Sequence, residues 1–290
     1  MFYLSLSLIN SKNMSNNILA KIYQDKLIEV RNAKKLMSLT EICNNISCKT
    51  LTSPNSAINC SGQGLFFDRL WQFKEQKKIA LICEAKKASP SKGVIRADFN
   101  LESIINSFVD GGAACISILT DEKYFMGSNQ YLLNASKITN IPLIRKDFIV
   151  DEYQIYQAKM LGASAILLIV AMFTNDIAKI RRLEEVAFSI GLSVLIEVHD
   201  MEELRIAKEM KSKIIGINNR NLKTMKVDIS TAVNLRKFIG DSHIAVAESG
   251  IDSKKDLEIL QDAGFNTFLI GEYFMKKDDI TLAVKELIAH

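Results

Sequence analysis

The stretch LICEAKKASPSKGVIRADF, residues 81–99, places a carboxylate and an ammonium, Glu84 and Lys86, two residues apart at the end of an apolar run. In a strand, residues two apart project from the same face. A charge buried alone costs several kcal/mol, so such a pair persists when the charges compensate each other or when function retains them. The same pattern recurs along the chain. Lys146 closes IPLIRK (141–146), Glu197 sits in LSVLIEV (192–198), Asn218 closes KIIGIN (213–218), and Glu248 with Ser249 closes HIAVAES (243–249). Taken singly, each marks the point where a strand meets water. Together they are three carboxylates, two lysines and an asparagine, a set suited to general acid–base work and to stabilising charge that develops during a reaction. Neighbouring charges and burial push lysine pKa values in opposite directions, so the two lysines could hold distinct protonation states.

A second group of residues suits an anion. ESG (248–250) and LIGE (269–272) each follow an apolar run, and Gly250 and Gly271 would let backbone N–H groups approach a phosphate closely. Directly after the first run, SPSKG (89–93) offers the Ser89 and Ser91 hydroxyls and the Lys92 charge, although a surface turn of turn-forming residues explains it equally well. In GINNRNL (216–222), Arg220 could bind an anion or face water.

These residues need elements to position them. From residue 79 onward a short apolar run, a loop and a helical pattern repeat: IALICEAK (79–86), AACISILT (113–120), IPLIRK, SAILLIV (164–170), LSVLIEV, KIIGIN, HIAVAES and NTFLIG (266–271). Helices between them carry their own signals, such as Asp151 opening and Gly162 closing DEYQIYQAKMLG, Gly191 ending 174–191, and Asp252 opening the helix that follows. Strands alternating with helices predict a parallel sheet, and eight such units predict a (β/α)8 TIM barrel. A doubly wound open sheet is the alternative, but no GxGxxG follows the first strand. In such a barrel the active site lies at the C-terminal ends of the strands. That is where all the charged residues named above fall, with the phosphate turns after strands seven and eight.

Upstream, residues 16–38 show an amphipathic face of Ile18, Leu19, Ile22, Leu27 and Val30, a Ser/Asn-rich stretch at 44–61 reads as a connector, and LFFDRLWQF (65–73) forms a second helical face. We therefore divide the chain into residues 1–13, a non-native or disordered arm with translation starting at Met14, residues 14–78, an N-terminal helical extension with its connector, and residues 79–290, the barrel. The extreme N-terminus has neither the basic flank nor the small-residue site of a secretory signal.

Composition narrows the field. With 290 residues, 48% hydrophobic, the chain can bury a large core, and 37 basic residues spread among 33 acidic ones give no clustered basic face for nucleic acid. The longest apolar runs fall short of the ~20 residues of a membrane helix. Five cysteines form no CxxC pair and three histidines form no cluster. We expect no metal, a reducing cytoplasm, no nucleic acid and no membrane.

The residues then spell out a resemblance. EAKKASPSKGVIRADF, ILTDEKYFMGS (118–128), PLIRKDFIVDEYQIYQAKMLGASAILLIVA (142–171), LIEVHD (195–200), GINNRNL and AESGI (247–251) closely resemble the indole-3-glycerol phosphate synthase family of tryptophan biosynthesis, from about Met14 to the C-terminus. The resemblance implies a barrel with its N-terminal extension over the mouth and a small phosphorylated substrate. It implies ring closure, decarboxylation and dehydration of 1-(2-carboxyphenylamino)-1-deoxyribulose 5-phosphate, with no cofactor. Position by position, Lys146 resembles the general acid at the substrate ketone, and Lys86 the second lysine, near the departing carboxylate and hydroxyl, with Glu84 its partner. Glu197 resembles the carboxylate for base and cation-stabilising work, while Asn218, Glu248 and Ser249 resemble the residues that hold substrate hydroxyls and the lysine network. Ser89, Arg220, Gly250 and Gly271 match phosphate and anion contacts, and Leu119, Phe125, Phe148 and Leu167 fall where the family packs the anthranilate ring. Departures are small: Ala85 stands where many relatives carry a larger apolar residue, and the bulky aromatics Tyr273 and Phe274 follow Gly271 and Glu272, where small or polar residues are frequent. Association with other tryptophan-pathway enzymes is compatible with the resemblance and is not legible in the chain. A related barrel such as phosphoribosylanthranilate isomerase would need a Cys/Asp pair at its strand ends, and a non-catalytic scaffold would lack a key ionisable residue. Neither fits this sequence.

Overall fold

The computed structural model describes residues 18–52, 62–222 and 224–289. The expected arm at 1–13 and the start at Met14 lie outside the described residues.

Eight parallel strands close into a ring: β1 (Ala80–Ala85), β2 (Cys115–Leu119), β3 (Leu143–Lys146), β4 (Ala165–Ile169), β5 (Ser193–Val198), β6 (Ile214–Asn218), β7 (Ile244–Glu248) and β8 (Thr267–Ile270). Closure is made by β1, whose Ile82 is in register with Cys115 of β2 on one side and Leu269 of β8 on the other. The ring is the predicted (β/α)8 barrel, and each strand lies within the apolar run that predicts it.

Strand alternation sorts the buried side chains into two layers. Leu81, Cys83 and Ala85 of β1, with Ile116, Ile166, Val194, Ile215 and Phe268, face outward into the layer between sheet and helices. Ala80 and Ile82, with Cys115, Ile144, Leu167, Leu195, Val246 and Leu269, fill the barrel axis. Ala85 therefore points away from the mouth. The outer layer is covered by α4 (Leu101–Gly111), α5 (Asn129–Ile138), α6 (Glu152–Met160), α7 (Ile177–Ser189), α8 (Met201–Lys208), α9 (Ser230–Arg236), α10 (Lys254–Asp262) and α11 (Ile280–Ile288), with α1 (Ile18–Leu36), α2 (Leu39–Thr52) and α3 (Leu65–Glu75) preceding them in the chain. Asp151 caps α6 through a capping box, and Gly162 just beyond that helix has a φ of 94°, the left-handed conformation that glycine adopts freely. The cap of α10 is Ser253, whose hydroxyl accepts the Asp256 N–H, not Asp252, one residue earlier in the chain.

The N-terminal extension closes both ends of the barrel. Helix α1 (Ile18–Leu36) lies over the C-terminal ends of the strands, with Leu19 and Ile22 at the top of the axial core. Helix α2 (Leu39–Thr52) runs into the stretch read as connector, where a Ser/Asn-rich composition hides a helix. Helix α3 (Leu65–Glu75) plugs the opposite end: Phe66, Phe67 and Leu70 pack into the axial core, and the Phe67 N–H donates to Ser193 Oγ at 3.1 Å. Only part of the extension thus lies over the mouth. Among the described residues, no helix is long and apolar enough to cross a membrane.

Candidate active site

At the C-terminal ends of the strands the axial positions turn from apolar to ionisable. Inward alternation from Ala80 and Ile82 brings Glu84 to the axis, and the register sets Ile169 beside Glu197, Leu119 beside Lys146 and Asn218 beside Glu248. Together these form the floor of a cavity of about 770 Å3 under α1. All fifteen residues singled out in the sequence line it: Glu84, Lys86, Ser89, Leu119, Phe125, Lys146, Phe148, Leu167, Glu197, Asn218, Arg220, Glu248, Ser249, Gly250 and Gly271.

The ionisable floor falls into a cluster of three and a pair. Lys146 Nζ bridges Glu248 Oε2 at 2.7 Å and Glu197 Oε2 at 3.2 Å, and the Asn218 amide donates to Glu197 Oε1 at 3.1 Å. Across the floor, Lys86 Nζ is 2.8 Å from Glu84 Oε1, and the Ser117 hydroxyl donates to Glu84 Oε2 at 3.2 Å. Burial disfavours the Lys146 ammonium, but Glu248, Glu197 and Glu84 outweigh it and hold the lysine charged well above its usual range. Burial likewise raises Glu84, and the Lys86 and Lys146 ammoniums bring it net below the usual range. The two carboxylates on Lys146 diverge. Burial of Glu197 is outweighed by Lys146, His199 and Asn218, so it is held far down, whereas burial and the adjacent Glu197 charge push Glu248 up to about 7 despite Lys146.

Small residues make this floor fit. A Cβ at Gly216 would collide with Glu248 Oε1, so the Glu248 carboxylate occupies space that only glycine leaves open. A Cβ at Gly271 would sit 2.8 Å from Glu84 Oε1. Ser249 and Gly250 both take positive φ, 67° and 75°. For Ser249 that is an uncommon backbone, of the kind found where a site constrains the chain.

One wall is apolar: the Phe125 and Phe148 rings lie 6.1 Å apart, beside Leu119 and Leu167, with Leu19 and Ile22 of α1 above. The opposite rim is polar. SPSKG forms the turn of a hairpin pairing Ala88–Ser89 with Gly93–Val94, which sets Ser89, Ser91 and Lys92 at the cavity edge. Arg220 also lines the cavity, with one guanidinium nitrogen donating to the Met225 carbonyl at 3.3 Å. Glu272 carries a negative charge on this rim, offset by Lys276 at 2.5 Å and, more distantly, Lys92 at 4.0 Å.

Three features escaped the sequence reading. Lys26, in the middle of α1, is 1% exposed, and its ammonium meets Asp121 at 2.7 Å, Asp147 at 2.8 Å and Glu29 at 2.8 Å. Asp147, next to Lys146, also takes Arg145 at 3.0 Å and the Thr120 hydroxyl at 2.6 Å. Its burial is outweighed by those cations, which hold it at about 2. Lys26 thus ties the lid helix to the ends of β2 and β3. Its signal was available: Leu19, Ile22, Lys26 and Val30 follow helical 3-4-4 spacing, so the lysine occupies the buried stripe that the reading gave to Leu27. The other two are Gly216 and His199, the latter against Glu197.

Comparison with known proteins agrees with this geometry. A sequence model of the family described as "Indole-3-glycerol phosphate synthase" matches residues 19–287. Proteins carrying that name include one from Chromobacterium violaceum, 47% identical over 210 residues (72% of this chain, 78% of that one). Another, from Prochlorococcus marinus, is 42% identical over 279 residues (94% and 90%), and one from Azospirillum brasilense is 39% identical over 276 residues (94% and 100%). Among solved structures, thiamine phosphate pyrophosphorylase from Pyrococcus furiosus superposes with a TM-score of 0.55 at 16% identity, covering 73% of this chain and 95% of that one, a likeness of fold alone.

Proposed function

The chain belongs to the indole-3-glycerol phosphate synthase family, and from that premise we infer how the residues at its barrel mouth divide the reaction. The enzyme is a carboxy-lyase of tryptophan biosynthesis. It closes the ring of 1-(2-carboxyphenylamino)-1-deoxyribulose 5-phosphate, releasing carbon dioxide and water to leave indole-3-glycerol phosphate. The observation that carries the assignment of roles is the Lys146 bridge between two carboxylates of unequal basicity, facing the separate Lys86–Glu84 pair across one cavity.

In ring closure, the aromatic carbon bearing the carboxylate attacks the ketone, whose oxygen becomes an alkoxide while the ring becomes cationic. Lys146 donates to that oxygen. Its proton is strongly held, yet an alkoxide is the stronger base and takes it once formed. Glu197, ionised throughout, stabilises the ring cation electrostatically. Carbon dioxide then leaves with its bonding electrons returned to the ring. Dehydration follows: Lys86, paired with Glu84, protonates the departing hydroxyl, and a carboxylate takes the adjacent carbon-bound proton. Glu197 matches the family's base, but the cations that hold its carboxyl down favour the cation-stabilising part of that role, and Glu248, raised by burial and by the Glu197 charge, is the better-matched proton acceptor.

The apolar wall of Leu119, Phe125, Phe148 and Leu167 receives the anthranilate ring. Ser89, Arg220, Gly250 and Gly271 receive the phosphate at the opposite rim, and Asn218 and Ser249 hold the sugar hydroxyls and the lysine network between them. We assign residues 14–78 to the extension and 79–290 to the catalytic barrel, acting in the cytoplasm on a small phosphorylated substrate without nucleic acid.

Purified protein mixed with the substrate should give the fluorescence of an indole product, without added metal or cofactor. Absence of product from folded protein would refute the reading.

A further inference from the structure

Glu197 has a partner that the reaction scheme does not use. His199 lies one residue beyond β5, and its imidazole sits between two carboxylates, with Nε2 3.3 Å from Glu197 Oε1 and Nδ1 2.9 Å from Glu203 Oε2. Glu203, in the first turn of α8, is itself fixed: it accepts the His199 backbone N–H at 2.8 Å, while its own N–H donates to Asp200 Oδ1 at 2.9 Å. The ring is 11% exposed, and Nε2 is buried with no hydrogen-bond partner of good geometry among the described residues, which leaves the Glu197 carboxylate as its ion-pair neighbour.

A neutral imidazole has one N–H and one lone pair. Set between two carboxylates, it would aim that lone pair at a negative oxygen. The doubly protonated ring offers each carboxylate a donor. The charged groups facing it are Glu197 from β5 and Glu203 from α8, with Asp200 at the start of α8. Behind Glu197 stand Lys146 from β3 and, beyond it, Glu248 from β7.

We infer that His199 is a positioning residue, held as imidazolium between Glu197 and Glu203, which makes Glu197 rather than Glu248 the carboxylate that stays ionised beside Lys146. The asymmetry of the two carboxylates supports this. Glu197 faces Lys146, Asn218 and His199, whereas Glu248 faces Lys146 and keeps a buried Oε1 without a hydrogen-bond partner. Burial works against charging the ring, but the two carboxylates outweigh it and push the imidazole up to about 10. His199 does not line the cavity, so it acts through Glu197 and not on substrate. The inference rests on reading the mouth as the catalytic site, and it explains how two similar carboxylates on one lysine take separate tasks.

Nitrogen NMR of the full-length enzyme at neutral pH, without substrate, should show His199 doubly protonated. A neutral tautomer overturns the inference. In turnover, His199→Asn should lower kcat about tenfold with KM within about twofold, and move the acid limb of the kcat–pH profile upward by about one unit, because the Glu197–Glu248 pair on Lys146 loses a neighbouring cation and protonates more readily. Glu203→Gln should move it the same way by less. Folded variants whose pH profiles superimpose on the parent overturn the inference, as does a loss of kcat and KM together with no shift of the limb. If the parent enzyme forms no product, the functional reading fails while the NMR result still decides the charge on His199.

Discussion

Replacing Lys26 by Met asks whether the lid helix is held by its buried ion cluster or by its apolar stripe alone. The ammonium meets Asp121 at 2.7 Å and Asp147 at 2.8 Å, both carboxylates lying at 1% exposure or less. When Lys26 is removed the two respond differently. Asp147 keeps Arg145 at 3.0 Å and the Thr120 hydroxyl at 2.6 Å, while Asp121 Oδ2, buried without a hydrogen-bond partner, loses its counter-charge. Removing one partner of a buried pair costs about 3–5 kcal/mol, and with one carboxylate orphaned rather than two, the lower end of that range applies. A cost of about 3 kcal/mol is roughly a hundredfold in the equilibrium between docked and undocked α1. Ion pairs elsewhere on the helix, such as Asp25–Lys123 and Lys34–Asp151, are partly exposed and offset little of it. Leu19 and Ile22 wall the cavity, so undocking should raise KM more than it lowers kcat, and a urea titration should show an early transition before the barrel unfolds. Asp121→Asn removes the stranded charge yet keeps an oxygen for the Tyr124 N–H that Asp121 caps at 2.6 Å. The double variant should therefore recover most of the loss. Parental KM and unfolding in Lys26→Met would refute the latch, and simple additivity of the two substitutions would refute the orphaned-carboxylate mechanism.

Lys146→Ala should reduce kcat by two or more orders of magnitude with the circular dichroism unchanged, a scale typical of a lost general acid, and near-normal turnover would remove Lys146 from the mechanism. Gly271→Ala should displace the Glu84 carboxylate, since the new methyl would lie 2.8 Å from Oε1, and should impair turnover in a folded protein; unchanged kinetics would show that the Glu84–Lys86 pair tolerates the shift. The folded pKa of His199, about 10, stands above its unfolded value near 6.5, so its contribution to stability is complete below about pH 6.5 and is lost as pH rises through 10. Unfolding free energy should decline over that window in the parent and more shallowly in His199→Gln; parallel curves would contradict the charged ring.

The barrel was legible because each strand is a short apolar run, most of them with a polar residue at or next to the end, and alternation fixes which side chains look inward. Glu84, Lys146, Glu197 and Glu248 were found by that route. What stayed hidden lies where a residue's type misstates its surroundings. Lys26 reads as a solvated lysine until the carboxylates at the ends of β2 and β3 are brought over it, and those lie about a hundred residues away in sequence. His199, just past a strand end, looks like a turn residue, because one of its carboxylates is a catalytic candidate and the other lies a helical turn ahead. The connector assignment missed α2 because Ser and Asn are poor helix formers, and packing against α6 overrides that preference. The extension was expected over the mouth, yet α3 has an apolar face matched to the opposite opening, and no local pattern says which end of a barrel a helix will meet.

Helix α3, which plugs the end of the barrel opposite the active site, also has a history during synthesis. Phe66, Phe67 and Leu70 dock against residues of β1, β2, β5 and β7, and β7 starts at Ile244, some 170 residues after α3 ends at Glu75. At about 5–20 residues per second, that interval is roughly 8 to 35 seconds on the ribosome. Over that time an apolar helix face is made but its socket is not. The segment translated before the barrel is thus among the last to find its place, and until then Phe66 and Phe67 are apolar surface that a holdase would cover.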